Sequence, residues 1–388
     1  MTGPHIVVVG AGAFGGWTAL ELVRRGARVT LVDAWGPGNV RASSGGETRV
    51  IRATYGAREI YTRMAMRALE RWREHDRTFE TAFFRKTGAL WMFGKDDSFG
   101  RSSIAALRAA GQPVEEISPR DARRRYPQID FNGIRSILIE PEAGYLLARR
   151  ACEHVVQRVV AEGGAYREQA VVSPVGVAGR TLKRVITSGT PIAADVFVFA
   201  CGPWLGFLFP DVVGRNVTPT RQEVFHFGTP AGDTQFTDAT FPVWVELTER
   251  LIYGIPGNAN RGFKIGDDTP GPRFDPTSGN REATPAALKS TRRYLARRFP
   301  ALARAPLIGA EVCQYEASPD AHFIVDRHPG APNVWLVGGG SGHGFKMGPA
   351  MGEMMAGLVL GGGTPDPAFS LARFSGRHGR LTEGEKWT

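Results

Sequence analysis

A glycine-rich turn near the start of the chain constrains the fold more than any other feature. The run Ile6-Val-Val-Val-Gly-Ala-Gly-Ala-Phe-Gly15 predicts a strand, a tight turn and a helix. Gly10 permits the turn, Gly12 lets a pyrophosphate approach the backbone, and Gly15 lets the helix pack against the strand. A second predicted strand ends at Asp33, whose carboxylate would accept a hydrogen bond from a ribose hydroxyl, while the helix N-terminus faces the phosphates. The pattern therefore predicts a dinucleotide site rather than a glycine turn without a ligand.

Length and cysteine content narrow the class of protein. A chain of 388 residues is too long for one ordinary hydrophobic core, so we expect two domains. No basic and apolar leader precedes His5, and Gly, Pro or charged residues interrupt every apolar run well before it could span a membrane. Cys152, Cys201 and Cys313 do not form a disulfide framework, which is typical of a reducing compartment. These features predict a cytoplasmic protein without membrane association.

The net charge of +10 does not indicate nucleic-acid binding. The basic residues occur as short pairs, such as Arg24-Arg25 and Arg149-Arg150, and several lie on stretches with helical periodicity, where a solvated face is the ordinary explanation. No basic stripe with interleaved aromatic residues and no nucleic-acid-binding motif is present. The histidines show no spacing that predicts a metal site. We expect the positive field to attract a carboxylate substrate and an anionic cofactor.

Periodic patterns along the chain predict the α/β class. Helical spacing of apolar residues predicts helices over about 59–74, 147–162 and 349–360, and Thr284-Pro285 predicts the start of another that runs to about 298. Alternating or continuous apolar runs predict strands over 87–93, 194–200, 221–227, 251–254 and 333–338.

The order of these elements predicts two domains that are discontinuous in sequence. Residues 1–81, 146–217 and 318–388 would form a Rossmann-like nucleotide-binding domain. Residues 82–145 and 218–317 would form a sheet-rich α+β substrate domain. We expect the active site between the two domains.

Eight further segments follow the glycine fingerprint in a characteristic order. They are Thr48-Arg49-x-x-Arg52-x-x-Tyr55-Gly, Lys86-Thr-Gly88, Arg221-Gln222, Tyr253-Gly-x-Pro256, Gly262-Phe-Lys264-x-Gly266, Cys313-x-Tyr315, His322-Phe-Ile-x-Asp326-x-His328-Pro329 and Ser341-Gly-His-Gly-Phe-Lys346. Together they resemble the flavin-dependent amine oxidases of the D-amino-acid-oxidase superfamily, in particular the monomeric sarcosine oxidase and N-methyltryptophan oxidase group. The resemblance covers nearly the whole chain.

The resemblance implies FAD, often attached covalently through a cysteine thioether to the flavin ring. Cys313 occupies the matching position, so we expect the attachment there. The alternative is a small apolar cysteine packed on a buried strand, as most free cysteines are. Cys152 on a predicted amphipathic helix and Cys201 after a core strand are interpreted as packing residues.

The resemblance also implies roles for three cationic side chains. Arg52 and Lys346 match the pair that holds the substrate carboxylate, a task that suits guanidinium and ammonium groups. Lys264 matches the lysine that activates oxygen, where a fixed cation stabilises negative charge that develops on oxygen. The alternatives are a structural ion pair for Arg52 and a solvated strand residue for Lys264.

The other site residues follow from the same resemblance. Tyr253 and Tyr315 would line the substrate cavity with Gly342, and Arg49 would lie near the flavin; the resemblance assigns these tyrosines and Arg49 to the catalytic residues together with Lys264. Gly342, His343 and Gly344 would offer backbone N–H groups to the flavin, although His343 is equally well explained as a packed histidine. The residues assigned to the cofactor are Gly10, Gly12, Ala13, Phe14, Gly15, Asp33, Ser44, Thr48, Arg49, Val172, Cys313, Gly342, His343, Gly344 and Lys346.

Three departures from the family pattern concern the substrate. Ser44 and Gly45 stand where the sarcosine oxidase pattern has two histidines. Asp268 replaces a histidine that follows the lysine in the pattern. Trp244 stands where a smaller or more flexible residue is usual. The first two changes predict a larger cavity with an added negative charge, suited to an amino acid bulkier than sarcosine. The alternative is that side chains such as Trp244 refill the space.

The sequence therefore predicts an FAD-dependent oxidase of the C–N bond of an amino acid, with a secondary amine favoured. The expected products are an imine and hydrogen peroxide, and the expected partners are a small amino acid and molecular oxygen. A monomer is expected. One alternative is a dehydrogenase that passes electrons to a quinone or flavoprotein. The others are a nicotinamide-dependent dehydrogenase and a non-catalytic nucleotide-binding protein.

Overall fold

A computed structural model describes residues 3–173, 175–177 and 181–375. Its strands, in chain order, are β1 His5–Val9, β2 Arg28–Asp33, β3 Thr48–Ile51, β4 Phe84–Lys86, β5 Ala89–Phe93, β6 Glu115–Ile117, β7 Ser136–Glu140, β8 Gly144–Leu147, β9 Ala165–Glu168, β10 Arg184–Val185, β11 Ile192–Ala193, β12 Val196–Phe199, β13 Thr218–Phe227, β14 Val243–Leu247, β15 Leu251–Ile255, β16 Phe263–Asp267, β17 Leu307–Ala317, β18 Ile324–His328 and β19 Ala331–Gly338. Its α-helices are α1 Ala13–Arg24, α2 Glu59–Thr78, α3 Ser98–Ala109, α4 Pro119–Arg125, α5 Ala148–Ala161, α6 Leu205–Leu208, α7 Pro210–Val213, α8 Pro285–Arg298 and α9 Gly348–Gly361.

A six-stranded sheet forms the half that is predicted to bind a nucleotide, in the order β18-β19-β12-β1-β2-β9. All neighbours pair in parallel except β18, which runs antiparallel to β19. The apolar β-branched run of β1 suits this central position, because a central parallel strand is covered on both faces. Helix α1 packs against α5 and α9. A Cβ at Gly15 would lie 1.9 Å from the Gly10 carbonyl oxygen, so this glycine allows α1 to approach β1 as the fingerprint predicts.

An eight-stranded sheet forms the second half, in the order β17-β13-β16-β15-β14-β5-β7-β6. All pairs are antiparallel except β14 with β5. One face carries a core of aromatic and aliphatic residues, which α8 covers. Thr284 caps α8, since its hydroxyl accepts from the Ala287 N–H. Within that core Arg298 donates to both carboxylate oxygens of Glu246, so the two buried charges compensate each other.

The elements compare closely with those predicted. Helix α8 begins at Pro285 and ends at Arg298, as expected, whereas α2 extends to Thr78, four residues beyond the prediction.

Every strand of the six-stranded sheet lies within 1–81, 146–217 or 318–388, and every strand of the eight-stranded sheet lies within 82–145 or 218–317. A third sheet, β3-β8-β4, joins segments from both halves, and β8 crosses the boundary at 146. The division into two domains stays a prediction. No helix in the described part of the chain is both long and apolar enough to cross a membrane.

Candidate active site

A cavity of about 210 Å³ lies at the C-terminal ends of the parallel strands, where nucleotide sites of such sheets are found. Gly10, Gly12, Ala13 and Phe14 line it, together with Asp33. Gly10 has a φ of +107°, and a Cβ there would meet the Ala200 carbonyl oxygen at 2.3 Å. A side chain at this position would clash with that oxygen, so the turn requires glycine. The cavity begins directly at the N-terminus of α1. This arrangement fits the pyrophosphate of a dinucleotide.

Two side chains complete the nucleotide end of this cavity. The Asp33 carboxylate accepts from the Ala11 N–H at 2.7 Å and from the Trp35 N–H at 2.9 Å, which holds it at the end of β2. Burial raises the pKa of Asp33, and these N–H groups oppose that shift. The Ser44 hydroxyl accepts from the Ala13 N–H at 2.9 Å, at the first turn of α1. Both positions suit the predicted ribose and phosphate contacts.

A second cavity of about 80 Å³ lies on the open face of the eight-stranded sheet. Side chains of a strand alternate between faces, so every second residue points into this space. The residues of this sheet that do so are Trp91, Gln222, Val224, Val245, Leu251, Tyr253, Lys264, Glu311, Cys313 and Tyr315. The two cavities share Arg49, Tyr315, Gly342 and Phe345 in their walls. They therefore meet at the point where the family resemblance places the flavin ring.

Arg52 and Lys346 lie in the wall of this second cavity, and each is at least 93% buried. The Arg52 guanidinium lies 4.3 Å from the Tyr55 ring centroid and 5.0 Å from that of Trp91. Cation–π contacts with the two aromatic rings therefore hold the guanidinium in position. The Lys346 ammonium donates to the Tyr55 hydroxyl and to the His343 carbonyl, both at 3.0 Å. The structure thus brings the two predicted carboxylate-binding cations into one small cavity.

Lys264 is buried on β16 and donates to the Thr48 carbonyl oxygen at 2.9 Å. Burial, and after it the charge of Arg49, lowers the pKa of Lys264 to about 8. Thr48 lines neither cavity, and its carbonyl oxygen holds the Lys264 ammonium; its predicted cofactor contact stays a prediction.

Arg49 connects the two cavities and contacts the predicted attachment point. Its guanidinium donates to the Thr48 and Ser43 carbonyls at 2.9 and 3.0 Å, and to the Gly45 carbonyl. One of its nitrogens lies 3.5 Å from the Cys313 sulfur. The guanidinium therefore places a fixed positive charge directly beside the predicted attachment point. Cys313 lines the second cavity and is partly exposed.

The tyrosines and Asp268 form a hydrogen-bonded group in the same cavity. The Tyr315 hydroxyl donates to the Asp268 carboxylate at 2.7 Å. Burial raises the pKa of both Tyr253 and Tyr315, so they remain neutral phenols at ordinary pH. Gly342 has a φ of +83°, and a Cβ there would meet the Tyr315 ring at 2.7 Å.

His343 lines the second cavity, but its ring is engaged in packing. One ring nitrogen lies 3.0 Å from the Ala321 carbonyl oxygen and the other 3.4 Å from the Tyr55 hydroxyl, and the ring stacks on Phe323. Gly344 lines the first cavity. The geometry favours the packed-histidine interpretation. Within the described ranges no His, Cys, Asp or Glu cluster could hold a metal ion.

The structure bears on three further sequence-based expectations. Val172 is 49% exposed, and its neighbour Val171 lines the cofactor cavity, because adjacent residues of an extended segment face opposite ways; the cofactor contact of Val172 stays a prediction. Ser44 borders the cofactor cavity and Gly45 borders neither, so the volume lost there does not enlarge the substrate cavity. Trp244 stacks on Phe263 and Tyr294 in the core beneath α8, and it is Val245 that faces the cavity.

Sequence reasoning missed two residues that support the site. Glu140 is buried and accepts from the Ala53 N–H and the Thr54 hydroxyl, which fixes the backbone just after Arg52. The Arg52 guanidinium in turn donates to the Thr54 carbonyl. The one available signal was an acid at the end of the apolar strand Ser136–Glu140. Trp91 gave no signal, since apolar residues surround it in sequence.

Comparison with known proteins agrees with this geometry. The chain is 30% identical to a monomeric sarcosine oxidase from Bacillus sp. (strain B-0618), over 92% of this chain and 93% of the relative. It is 27% identical to the N-methyl-L-tryptophan oxidase of Yersinia pestis (strain Pestoides F), over 95% and 99%.

Solved structures share the fold. L-Proline dehydrogenase from P. horikoshii superposes with a TM-score of 0.83 at 22% identity, covering 96% of this chain and 98% of that one. A fructosamine oxidase from Aspergillus fumigatus gives a TM-score of 0.79 at 22% identity, over 96% and 90%. The family model described as FAD dependent oxidoreductase matches residues 5–358. The chain therefore belongs to this family of FAD-dependent oxidoreductases.

Proposed function

We propose that this protein is an oxidase of the C–N bond of an amino acid, with a secondary amine favoured as the substrate. The observation that carries the proposal is a cavity of about 80 Å³ that meets the cofactor cavity and contains two buried cations, Arg52 and Lys346. Such a cavity suits a small carboxylate whose α-carbon must face the flavin ring. The sarcosine oxidase and N-methyl-L-tryptophan oxidase relatives support a secondary amine.

The residues of the chain would bind and orient the substrate, since bound FAD supplies the two-electron redox chemistry. Arg52 and Lys346 would hold the carboxylate, and Tyr253 and Tyr315 would border the amine. Oxidation removes two electrons and two protons from the amine and leaves an imine, which water hydrolyses. Molecular oxygen takes up two electrons and two protons and becomes hydrogen peroxide. Lys264 would stabilise the negative charge that develops on oxygen.

A peroxide-coupled screen of N-methyl, cyclic and primary amino acids with the purified protein tests this proposal. We expect peroxide with at least one secondary amine. Reduction of the flavin by an amine without peroxide formation would support the alternative, a dehydrogenase that uses another acceptor. The ranking of sarcosine against bulkier amino acids tests the predicted preference for a substrate larger than sarcosine in this cavity, which Asp268 also lines. A cytoplasmic monomer stays a prediction.

Covalent attachment of FAD through Cys313 is part of this proposal. Its support is the position of the thiol in the wall of the second cavity, 3.5 Å from a nitrogen of Arg49, which lines both cavities. We expect the yellow colour to stay with the protein pellet after acid precipitation. Cys313→Ala should release the colour into the supernatant, because the thioether cannot form.

Cys152→Ala and Cys201→Ala are the matched controls for this experiment. Cys152 is buried on α5 and lines neither cavity, while Cys201 borders the cofactor cavity at the end of β12. Neither change should release the flavin. Flavin found wholly in the supernatant of the unmutated protein would contradict covalent attachment.

The reaction with oxygen should depend on pH through Lys264. Its pKa of about 8 lies below the ordinary lysine value, so the ammonium form is lost as the pH rises through 8. Because only the ammonium supplies positive charge, flavin reoxidation should slow above about pH 8 and change little below pH 7. Stopped-flow reoxidation of the prereduced protein measures this directly. Lys264→Arg keeps its charge throughout this range and should give a flat profile; a similar decline in Lys264→Arg would assign the effect to another group.

A further inference from the structure

Glu316 is a buried carboxyl group in the wall of the cofactor cavity that none of the preceding roles explains. It is 7% exposed, and its Oε2 atom has no hydrogen-bond partner in the structure. Over residues 3–173, 175–177 and 181–375, no cationic nitrogen lies within ion-pair distance of it. Burial raises the pKa of Glu316 to about 7, against the effect of the Gly340 and Gly339 N–H groups. A buried polar atom without a partner is costly, so a ligand that satisfies it is expected.

The position of this carboxyl group along the cavity indicates which part of FAD it faces. A Cβ on Gly202 would lie 3.6 Å from Oε2, and a Cβ on Gly340 would lie 2.8 Å from Oε1. Gly202 follows the segment that packs against the phosphate-binding turn, since a Cβ on Gly10 would lie 3.3 Å from the Cys201 Cα. Gly340 begins the loop that reaches the junction of the two cavities at Gly342. Glu316 therefore lies between the phosphate end and the ring end of the cavity.

The part of FAD between its phosphates and its ring is the ribityl chain, which carries hydroxyl groups. A hydroxyl donates to a carboxylate and accepts from a carboxylic acid, so it can pair with Glu316 in either protonation state. A phosphate would instead repel the ionised carboxylate. We propose that Glu316 is a cofactor-positioning residue whose carboxyl group forms a hydrogen bond with a ribityl hydroxyl of FAD.

The test measures the Kd for FAD in a Cys313→Ala chain, where a thioether cannot form and binding stays reversible. Apoprotein is titrated with FAD without any substrate, so the result does not depend on the proposed amine oxidation. Glu316→Ala should weaken FAD binding by about tenfold, as expected for loss of a hydrogen bond to a buried carboxyl group. Glu316→Gln should change the Kd much less, because an amide still pairs with a hydroxyl.

FAD analogues that lack the 2′, 3′ or 4′ hydroxyl of the ribityl chain identify the partner. One analogue should bind the parent about tenfold more weakly than FAD but bind Glu316→Ala with no further loss, since both changes remove the same contact. Glu223→Ala is the matched control: this glutamate lies on the adjacent strand, is paired with Arg221 and lines neither cavity. Its Kd for FAD should equal that of the parent.

Two outcomes would overturn the proposal. One is an unchanged Kd for FAD in Glu316→Ala; the other is a loss that persists equally with all three analogues, which would mean a purely structural role. If Glu316→Ala fails to fold, the same comparison is made with Glu316→Gln, whose smaller loss should disappear with one analogue and not with the others. Persistence of that smaller loss with every analogue would overturn the proposal in the same way.

Discussion

Lys264→Met should slow reoxidation of the reduced flavin by two to three orders of magnitude, the usual effect of removing one charge-stabilising group from an active site. The Lys264 ammonium is buried and held by the Thr48 carbonyl at 2.9 Å, so its position is fixed before oxygen arrives. Methionine has a similar length but no charge. Anaerobic reduction of the flavin by substrate should be affected far less, because negative charge develops on oxygen only in the second half of the cycle.

Stopped-flow measurement of each half-reaction separates these effects. Reduction is followed under anaerobic conditions, and reoxidation is followed after mixing the reduced protein with oxygenated buffer. Lys289→Met is a suitable control, since this lysine lies on α8 outside both cavities and should alter neither rate. Equal slowing of both half-reactions in Lys264→Met would assign Lys264 a structural role instead.

Arg52→Ala should weaken the binding of simple carboxylate inhibitors by about a hundredfold or more, the typical loss when one partner of a desolvated charge pair is removed. The guanidinium is held between Tyr55 and Trp91 and by the Thr54 carbonyl, so it is preorganised for a carboxylate. Lys346→Ala should act in the same direction. Perturbation of the flavin absorption spectrum on titration gives the Kd.

The control ligand for this experiment is the uncharged amide of the same inhibitor, whose weaker binding should change little in either variant. Arg58→Ala is the control variant, because Arg58 lies outside the cavity and donates to the Asp320 carbonyl. Thermal unfolding checks that the fold survives, since the Arg52 charge also faces the buried Glu140 carboxyl. Undiminished inhibitor binding in both Arg52→Ala and Lys346→Ala would mean that other groups orient the substrate.

Local patterns in the sequence predicted the elements that depend on neighbouring residues. The glycine turn at Gly10 and the cap at Thr284 are of this kind, because backbone geometry and nearby hydrogen bonds determine them. These features needed no knowledge of distant segments.

The features that sequence reasoning missed depend on contacts between distant segments. Trp244 turns away from the cavity because Tyr294 of α8, a distant segment of the chain, provides an aromatic partner for it. Val171 rather than Val172 lines the cofactor cavity, a difference of one position in an irregular segment. Glu316 could not be distinguished from an exposed strand acid until the structure showed it buried beside the glycine loop.

Anaerobic mixing of the purified yellow protein with secondary amino acids, followed by admission of oxygen, tests the central claim most directly. The account predicts that an N-methyl or cyclic amino acid bleaches the flavin in the absence of oxygen. Oxygen should then restore the colour and give a stoichiometric amount of hydrogen peroxide. A flavin that no amino acid of the panel bleaches would contradict the claim. So would a reduced flavin whose colour returns with a quinone but not with oxygen.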